Sequence, residues 1–166
     1  MSKFDADFQE FFADKTISEL VSRSGTNSTL LSSLQGQQDR WDDNDKLNLF
    51  KRVILENSYL FKDKTVLDLR CGLGFFSIFA ARAGARRVFA VDTSSSLALT
   101  AKIVERNGLQ NVIQVLSGKL GGLAIPEKSI DVIICDWVGS FIINDDILPE
   151  LIDAKNRLLA PNGVVS

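Results

Sequence analysis

The amino-acid sequence predicts an α/β fold, a doubly wound and mainly parallel sheet behind a helical N-terminal extension. Three observations carry that reading. Short apolar runs alternate with stretches of helical period from about residue 45 onward. A turn containing Gly72 and Gly74 joins the first apolar run to the helix after it. Acids stand near the ends of the first two runs, at Asp68 and Asp92. Alternating strand and helix implies parallel strands joined by right-handed crossovers. Ligands of such sheets bind at the carboxyl ends of the strands.

The elements follow in order. Residues 4–12 and 17–21 carry two short helical patterns, with Phe4, Phe8, Phe11 and Phe12 on one side. Residues 24–38 are rich in Ser, Thr, Gly, Asn and Gln and read as a mobile linker. Residues 1–44 are therefore assigned to the extension and 45–166 to the sheet domain. A helix starts near Asp45, with Leu47, Phe50, Val53 and Ile54 at helical spacing, and ends at Asn57. Strands are expected at 65–69, 87–91, 112–116 and 130–135, the last apolar at nearly every position and so buried on both faces. Helices are expected at 74–83, at 96–107 with Gly108 as a left-handed stop, and at 146–159, closed by Pro161 and Gly163. Val164 and Val165 read as the first step of a fifth strand, at which the chain stops.

Composition removes several kinds of chemistry. The chain has 166 residues, enough for one domain with a real core, and no histidine. Ser-His-Asp catalysis, Cys-His catalysis and His-ligated metal sites are thereby excluded within the chain. Its two cysteines, Cys71 and Cys135, form no CxxC pair; they read as reduced thiols, and no metal site is expected. Proton transfer is left to carboxylates, lysines or tyrosine. A net charge of −2 gives no broad pull toward nucleic acid or an anionic membrane, and neither is an expected partner. The N-terminus has no apolar run long enough for a secretory signal or a membrane span.

The segment TVLDLRCGLGFF places a strand, a tight turn and a helix start in succession. Gly72 and Gly74 let backbone approach a ligand closely. An acid at position 92 is placed to accept hydrogen bonds from both hydroxyls of a ribose. Glycine turn plus acid indicates a nucleoside cofactor. The alternative is an α/β protein whose turn is merely tightened by glycine and whose Asp92 caps a helix.

The segments LFKDKTVLDLRCGLGFFSIFAARAGARRVFAVDTSS, KIVERNGL, IDVIICDWVGSF and AKNRLLAPNG resemble the protein arginine methyltransferases, from about Leu47 to Gly163. The resemblance implies a Rossmann-like fold that binds S-adenosyl-L-methionine (SAM). It implies methyl transfer to a guanidinium nitrogen of arginine-containing protein substrates such as histones or RNA-binding proteins, in the nucleus or cytoplasm. Asp68, Gly72 and Gly74 match the motif that cradles the methionine part of SAM, and Asp92 the acid on the ribose. Asp136 and Asp145 match the two acids of the substrate loop, where a pair of carboxylates would hold a planar guanidinium.

Departures from the family pattern bear on turnover. Arg70 stands at the first motif glycine. Either it fills the space beside Gly72 and Gly74, or it points away and binds the cofactor carboxylate. Leu73 replaces a usual threonine, and Gly121 and Gly122 replace acids, one of which contacts the adenine. Lys46 aligns with the arginine that holds the SAM carboxylate. Both substrate-loop acids are aspartate, each shorter than glutamate by roughly 1.5 Å. The β-barrel domain that follows in the family is expected to be absent, the sheet being truncated at the fifth strand. The strand at 130–135 would then be an uncovered apolar edge, open to pairing with another chain. Two readings stand: an arginine methyltransferase of weak turnover, and a catalytically inactive paralogue acting as an interaction or regulatory module.

Overall fold

The structure, a computed structural model, describes residues 44–135 and 147–166. The patterns at 4–12, 17–21 and 24–38, the side chain of Lys46, and Asp136, Trp137 and Asp145 lie outside the described residues. Four α-helices and five strands follow in order: α1 (Asn44–Glu56), β1 (Thr65–Leu69), α2 (Phe75–Arg82), β2 (Arg87–Asp92), α3 (Leu97–Arg106), β3 (Ile113–Ser117), β4 (Ile130–Cys135), α4 (Ile147–Arg157) and β5 (Leu159–Val165). All four strand pairings are parallel, in the order β3-β2-β1-β4-β5. Strand and helix thus alternate as the apolar patterning implies.

β1 sits at the centre, paired on both sides, and all five of its residues are buried. One face of the sheet presents Leu67, Leu69, Phe89, Val91, Ile133 and Cys135 to Leu151, Ala154 and Leu158 of the α4 segment and to Leu120 and Ile125. Cys135 is therefore a packed apolar residue, as its position at the end of an apolar strand suggests. Residues of opposite parity, among them Asp68 and Ala90, face the side where α2 packs. Each large side chain fully buried this way, such as Phe79 or Leu67, contributes about 1.5–3 kcal/mol. Phe50 of α1 meets Phe76 of α2 with ring centroids 4.8 Å apart, which seats α1 on the domain.

Asn57 ends α1 with its side-chain amide donating to the Val53 carbonyl, and Gly108 follows α3 at φ +67°. Both are the stops that the sequence suggests.

The expected uncovered edge at β4 is not found. β5 runs alongside β4, with Ile130 opposite Leu159, Val132 opposite Val164 and Ile133 opposite Val165, and the Ser166 N–H donates to the Ile133 carbonyl at 2.8 Å. The edges of the sheet are β3 and β5. Reading Pro161 and Gly163 as helix terminators placed the start of this strand at Val164, whereas it begins at Leu159. The helix has already ended at Arg157, and both residues lie in β5 where the register shifts against β4. Proline is tolerated there because an edge strand needs no inward N–H at a bulge. Glycine is needed because a Cβ at 163 would lie 2.6 Å from Leu159 Cδ1 and 3.0 Å from the Asp131 carbonyl oxygen.

Among the described residues no helix is long and apolar enough to cross a membrane, and no group of three or more Cys, Asp or Glu side chains could hold a metal ion.

Candidate functional site

The site is built at the carboxyl ends of β1 and β2. The chain leaves β1 through three left-handed residues, Arg70 (φ +62°), Gly72 (φ +55°) and Gly74 (φ +81°). The turn is fastened on both sides. The Cys71 N–H donates to the Val91 carbonyl at 3.0 Å, and the Gly74 N–H to the Cys71 carbonyl at 2.8 Å. Thr100 of α3 donates from Oγ1 to the Gly72 carbonyl at 2.7 Å. Its methyl lies where a side chain on residue 74 would go, 2.9 Å from an added Cβ. Gly74 is therefore fixed twice over, by its φ and by its neighbour.

Asp68 lies beneath this turn with 1% of its surface exposed. Its Oδ2 accepts two bonds from Ser77 of α2, from the N–H at 2.9 Å and from Oγ at 2.6 Å. Its Oδ1 is buried and has no partner among the described residues. Burial raises the carboxyl to about 7; the two Ser77 bonds oppose the rise and the nearby Asp92 charge adds to it. A buried acceptor without a donor costs about 1–3 kcal/mol. Such atoms collect at binding sites, where a ligand supplies the donor.

Asp92 is 8% exposed and already well used. Oδ2 accepts the Gly72 N–H at 2.8 Å, and Oδ1 accepts the N–H groups of Thr93 and Ser94 at 2.6 and 2.8 Å. A carboxylate offers about four lone-pair sites, so capacity remains for one further donor, where two ribose hydroxyls were expected. Asp92 does not cap α3, whose N-cap is Ser96; its carboxylate instead closes the loop after β2 through the N–H groups of Thr93 and Ser94. The same residue also tethers the turn, because Gly72 hangs on its side chain.

Arg70 does not fill the cradle. Its Nε donates to Glu150 Oε2 of α4 at 2.7 Å, with the two side chains 38% and 14% exposed. Glu150 Oε1 accepts the Leu120 N–H at 3.4 Å, so one carboxylate joins the β1 turn to the segment after β3. Sequence reasoning missed Glu150. Its signal is that it is the acid of the first turn of α4. At Gly121 and Gly122 an added Cβ would meet nothing within 4 Å, so there is open room where the family resemblance implies acids.

Cys71 lies inside the turn and is buried. Burial, with the charges of Asp68 and Asp92, pushes its thiol far up, so it is no nucleophile near neutral pH. Of the sequence-predicted residues, Asp68, Arg70, Gly72, Gly74 and Asp92 come together within one turn and its supports. Lys46, Asp136 and Asp145 fall outside the described side chains.

The residues present suit the amino-acid end of a nucleoside cofactor. Asp68 Oδ1, without a partner among the described residues, can accept from an ammonium, and Gly72, half-buried and without a side chain, admits close approach, whereas Gly74 is buried against Thr100. The Arg70 cation is engaged by the Glu150 carboxylate of α4.

Comparison with known proteins bears on this geometry. A family model described as "Methyltransferase domain" matches residues 66–163. The chain is 41% identical over 116 residues to a protein arginine N-methyltransferase 1 of Oryza sativa, covering 70% of this chain and 30% of that protein. It is 38% identical over 116 residues to the protein of that name in Schizosaccharomyces pombe, covering 34% of it. The chain thus spans about a third of the length of these curated relatives. Among solved structures it resembles the Trypanosoma brucei PRMT1 enzyme-prozyme heterotetrameric complex with AdoHcy, with a TM-score of 0.70 and 37% identity over 75% of this chain and 39% of that one. It resembles Arabidopsis thaliana protein arginine methyltransferase 10 with a TM-score of 0.75 and 33% identity over 80% of this chain and 38% of that one.

Proposed function

Because the chain belongs to the methyltransferase-domain family, in its protein arginine methyltransferase branch, we propose that it binds SAM in the cradle formed by Asp68, Gly72, Gly74 and Asp92. The reaction it serves is methyl transfer to an arginine guanidinium of a protein substrate, in the nucleus or cytoplasm. When bound, SAM supplies an electrophilic methyl group on a sulfonium. The chain's own residues bind and orient. Asp68 accepts from the ammonium through Oδ1, Gly72 gives backbone access, and Asp92 keeps one acceptor site for a ribose hydroxyl. Asp136 and Asp145 would grip the substrate guanidinium as a carboxylate pair and hold it in line.

The observation that carries this reading is the buried Asp68 Oδ1, without a partner among the described residues, beneath a turn of left-handed residues. Calorimetric titration with S-adenosylhomocysteine tests it. Saturable binding in the micromolar range is expected, and no heat at millimolar ligand would overturn it.

A second reading is favoured by Arg70 and by the bare positions Gly121 and Gly122, namely a catalytically inactive paralogue that binds cofactor but serves as a regulatory module. The Trypanosoma brucei relative is described as a complex of enzyme and prozyme, which gives that reading a precedent in the family. Methylation of an arginine-rich peptide by the purified chain decides between them. Turnover supports the enzyme; binding without turnover supports the module.

A further inference from the structure

Thr100 stands in the interior of α3 and is fully buried. A β-branched side chain is a weak helix former, because it crowds the preceding turn. Its place here is explained by what it reaches outside the helix. Both branches meet the β1 turn. Oγ1 donates to the Gly72 carbonyl at 2.7 Å, and Cγ2 lies 2.9 Å from where a Cβ on residue 74 would stand. Oγ1 also lies 3.2 Å from the Ser96 carbonyl of its own helix. A hydroxyl has one proton to donate, and the shorter contact gives it to Gly72. Gly72 is thus held on both sides of its Cα. The peptide before it is held through the N–H, which donates to Asp92 Oδ2 at 2.8 Å. The peptide after it is held through the carbonyl bonded to Thr100. These two planes define φ and ψ of residue 72, and φ is +55°. Glycine has no Cβ to confine it, so the two bonds confine it instead. Asp92 also accepts the Thr93 and Ser94 N–H groups of the loop that leads into α3. Turn, strand end and helix are therefore joined in one closed circuit of hydrogen bonds.

We propose that Thr100 is a positioning residue for the ligand, its hydroxyl forming with Asp92 a clamp that holds Gly72 in the binding conformation. This proposal rests on the cofactor reading above and deepens it. Thr100 is fully buried and acts through Gly72, without contact to the ligand. Without the hydroxyl, the peptide after Gly72 loses its tie to α3, and the turn spends part of its time in other conformations. Apparent affinity then falls by the fraction of the chain that remains competent to bind. The methyl branch has a separate task, since it packs against Gly74 and contributes to stability.

Two substitutions separate the branches. Thr100→Val keeps the shape and removes the hydroxyl, and Thr100→Ser keeps the hydroxyl and removes the methyl. Calorimetry with S-adenosylhomocysteine reads affinity, and amide hydrogen exchange at Gly72 in the ligand-free chain reads the clamp. Thr100→Val is expected to weaken S-adenosylhomocysteine by about threefold to tenfold, the range that one neutral hydrogen bond spans. Exchange of the Gly72 amide should quicken by a similar factor, because its bond to Asp92 opens more often. Thr100→Ser should keep the parent affinity and the parent Gly72 exchange, although it melts at a lower temperature. A purely structural threonine would lower the melting temperature in both variants and leave the affinity of the folded chain unchanged. Parent-like affinity or parent-like Gly72 exchange in Thr100→Val, or equal loss of affinity in the two variants, would overturn the proposal while leaving the cofactor reading intact. No binding of S-adenosylhomocysteine by the parent chain at millimolar ligand would overturn the two together.

Discussion

Replacing Asp68 by Asn changes the pH dependence of stability in a direction and size that the structure sets. Burial raises the Asp68 carboxyl from an ordinary 3.8 to about 7 in the folded chain. The folded state therefore holds a proton that the unfolded state has already released. Between those two values the unfolded chain binds fewer protons than the folded one, so stability falls as pH rises. The stability is greatest below the unfolded value and is lost progressively up to about pH 7. Three units of displacement at about 1.4 kcal/mol each amount to roughly 4 kcal/mol across the whole window. Between pH 5 and pH 7 the loss is about 2 kcal/mol. This window is unusually clean because the chain has no histidine, and ordinary carboxylates are already ionised at pH 5. Urea unfolding of the parent chain at pH 5, 6 and 7 should give a falling midpoint. Asp68→Asn, which keeps an oxygen for Ser77 and carries no charge, should give a nearly flat one and be the more stable chain at pH 7. If parent and variant midpoints move in parallel, Asp68 is not the proton-binding group and the burial argument fails.

Three other substitutions probe the supports of the turn and the sheet edge. Ser77→Ala removes the 2.6 Å bond to Asp68 and should cost about 1.5–3 kcal/mol at pH 8, where the acceptor is charged, and about 1 kcal/mol at pH 5; urea midpoints at the two pH values measure the difference. Gly74→Ala places a Cβ 2.9 Å from the Thr100 methyl at φ +81°. It should cost about 2 kcal/mol or more and abolish S-adenosylhomocysteine binding by calorimetry. Gly163→Ala drives a Cβ into Leu159 and toward a backbone oxygen, with an expected loss of about 1–3 kcal/mol in thermal melts and no change in probe affinity.

The central strands were legible because burial on both faces leaves little choice of residue. β1 and β4 read as apolar runs, each interrupted by one acid, Asp68 and Asp131, and both are buried almost throughout. Gly72, Gly74 and Gly108 were legible for a different reason, since each meets a left-handed backbone. The first part of β5, before Val164, was hidden because Pro161 and Gly163 carry the same signal in a helix stop as in a bulged edge strand, and only the neighbouring strand tells the two apart. Contacts between distant segments gave no local signal. Arg70 and Glu150 lie 80 positions apart, and no periodicity relates them. Ser77 was closer to reach, because a serine in the first turn of the helix after the glycine turn lies over the acid of the strand before it.

Why the turn accepts an arginine at 70 but would reject a side chain at 74 follows from two separate constraints. A left-handed residue other than glycine costs about 1–2 kcal/mol wherever it stands. At 74 a second cost is added, because Thr100 occupies the space of the Cβ. At 70 the side chain runs outward and gains a charge-assisted bond to Glu150, which offsets part of the backbone cost. Loss of the first motif glycine therefore leaves the path of the turn intact. The Gly72 N–H still reaches Asp92, the Gly72 carbonyl still receives Thr100, and Asp68 still accepts from Ser77 through Oδ2, with Oδ1 without a partner among the described residues. What Arg70 adds is a tie from the turn to α4 through Glu150. Its replacement by glycine should accordingly relieve the left-handed backbone cost, remove that tie, and leave the path of the turn unchanged.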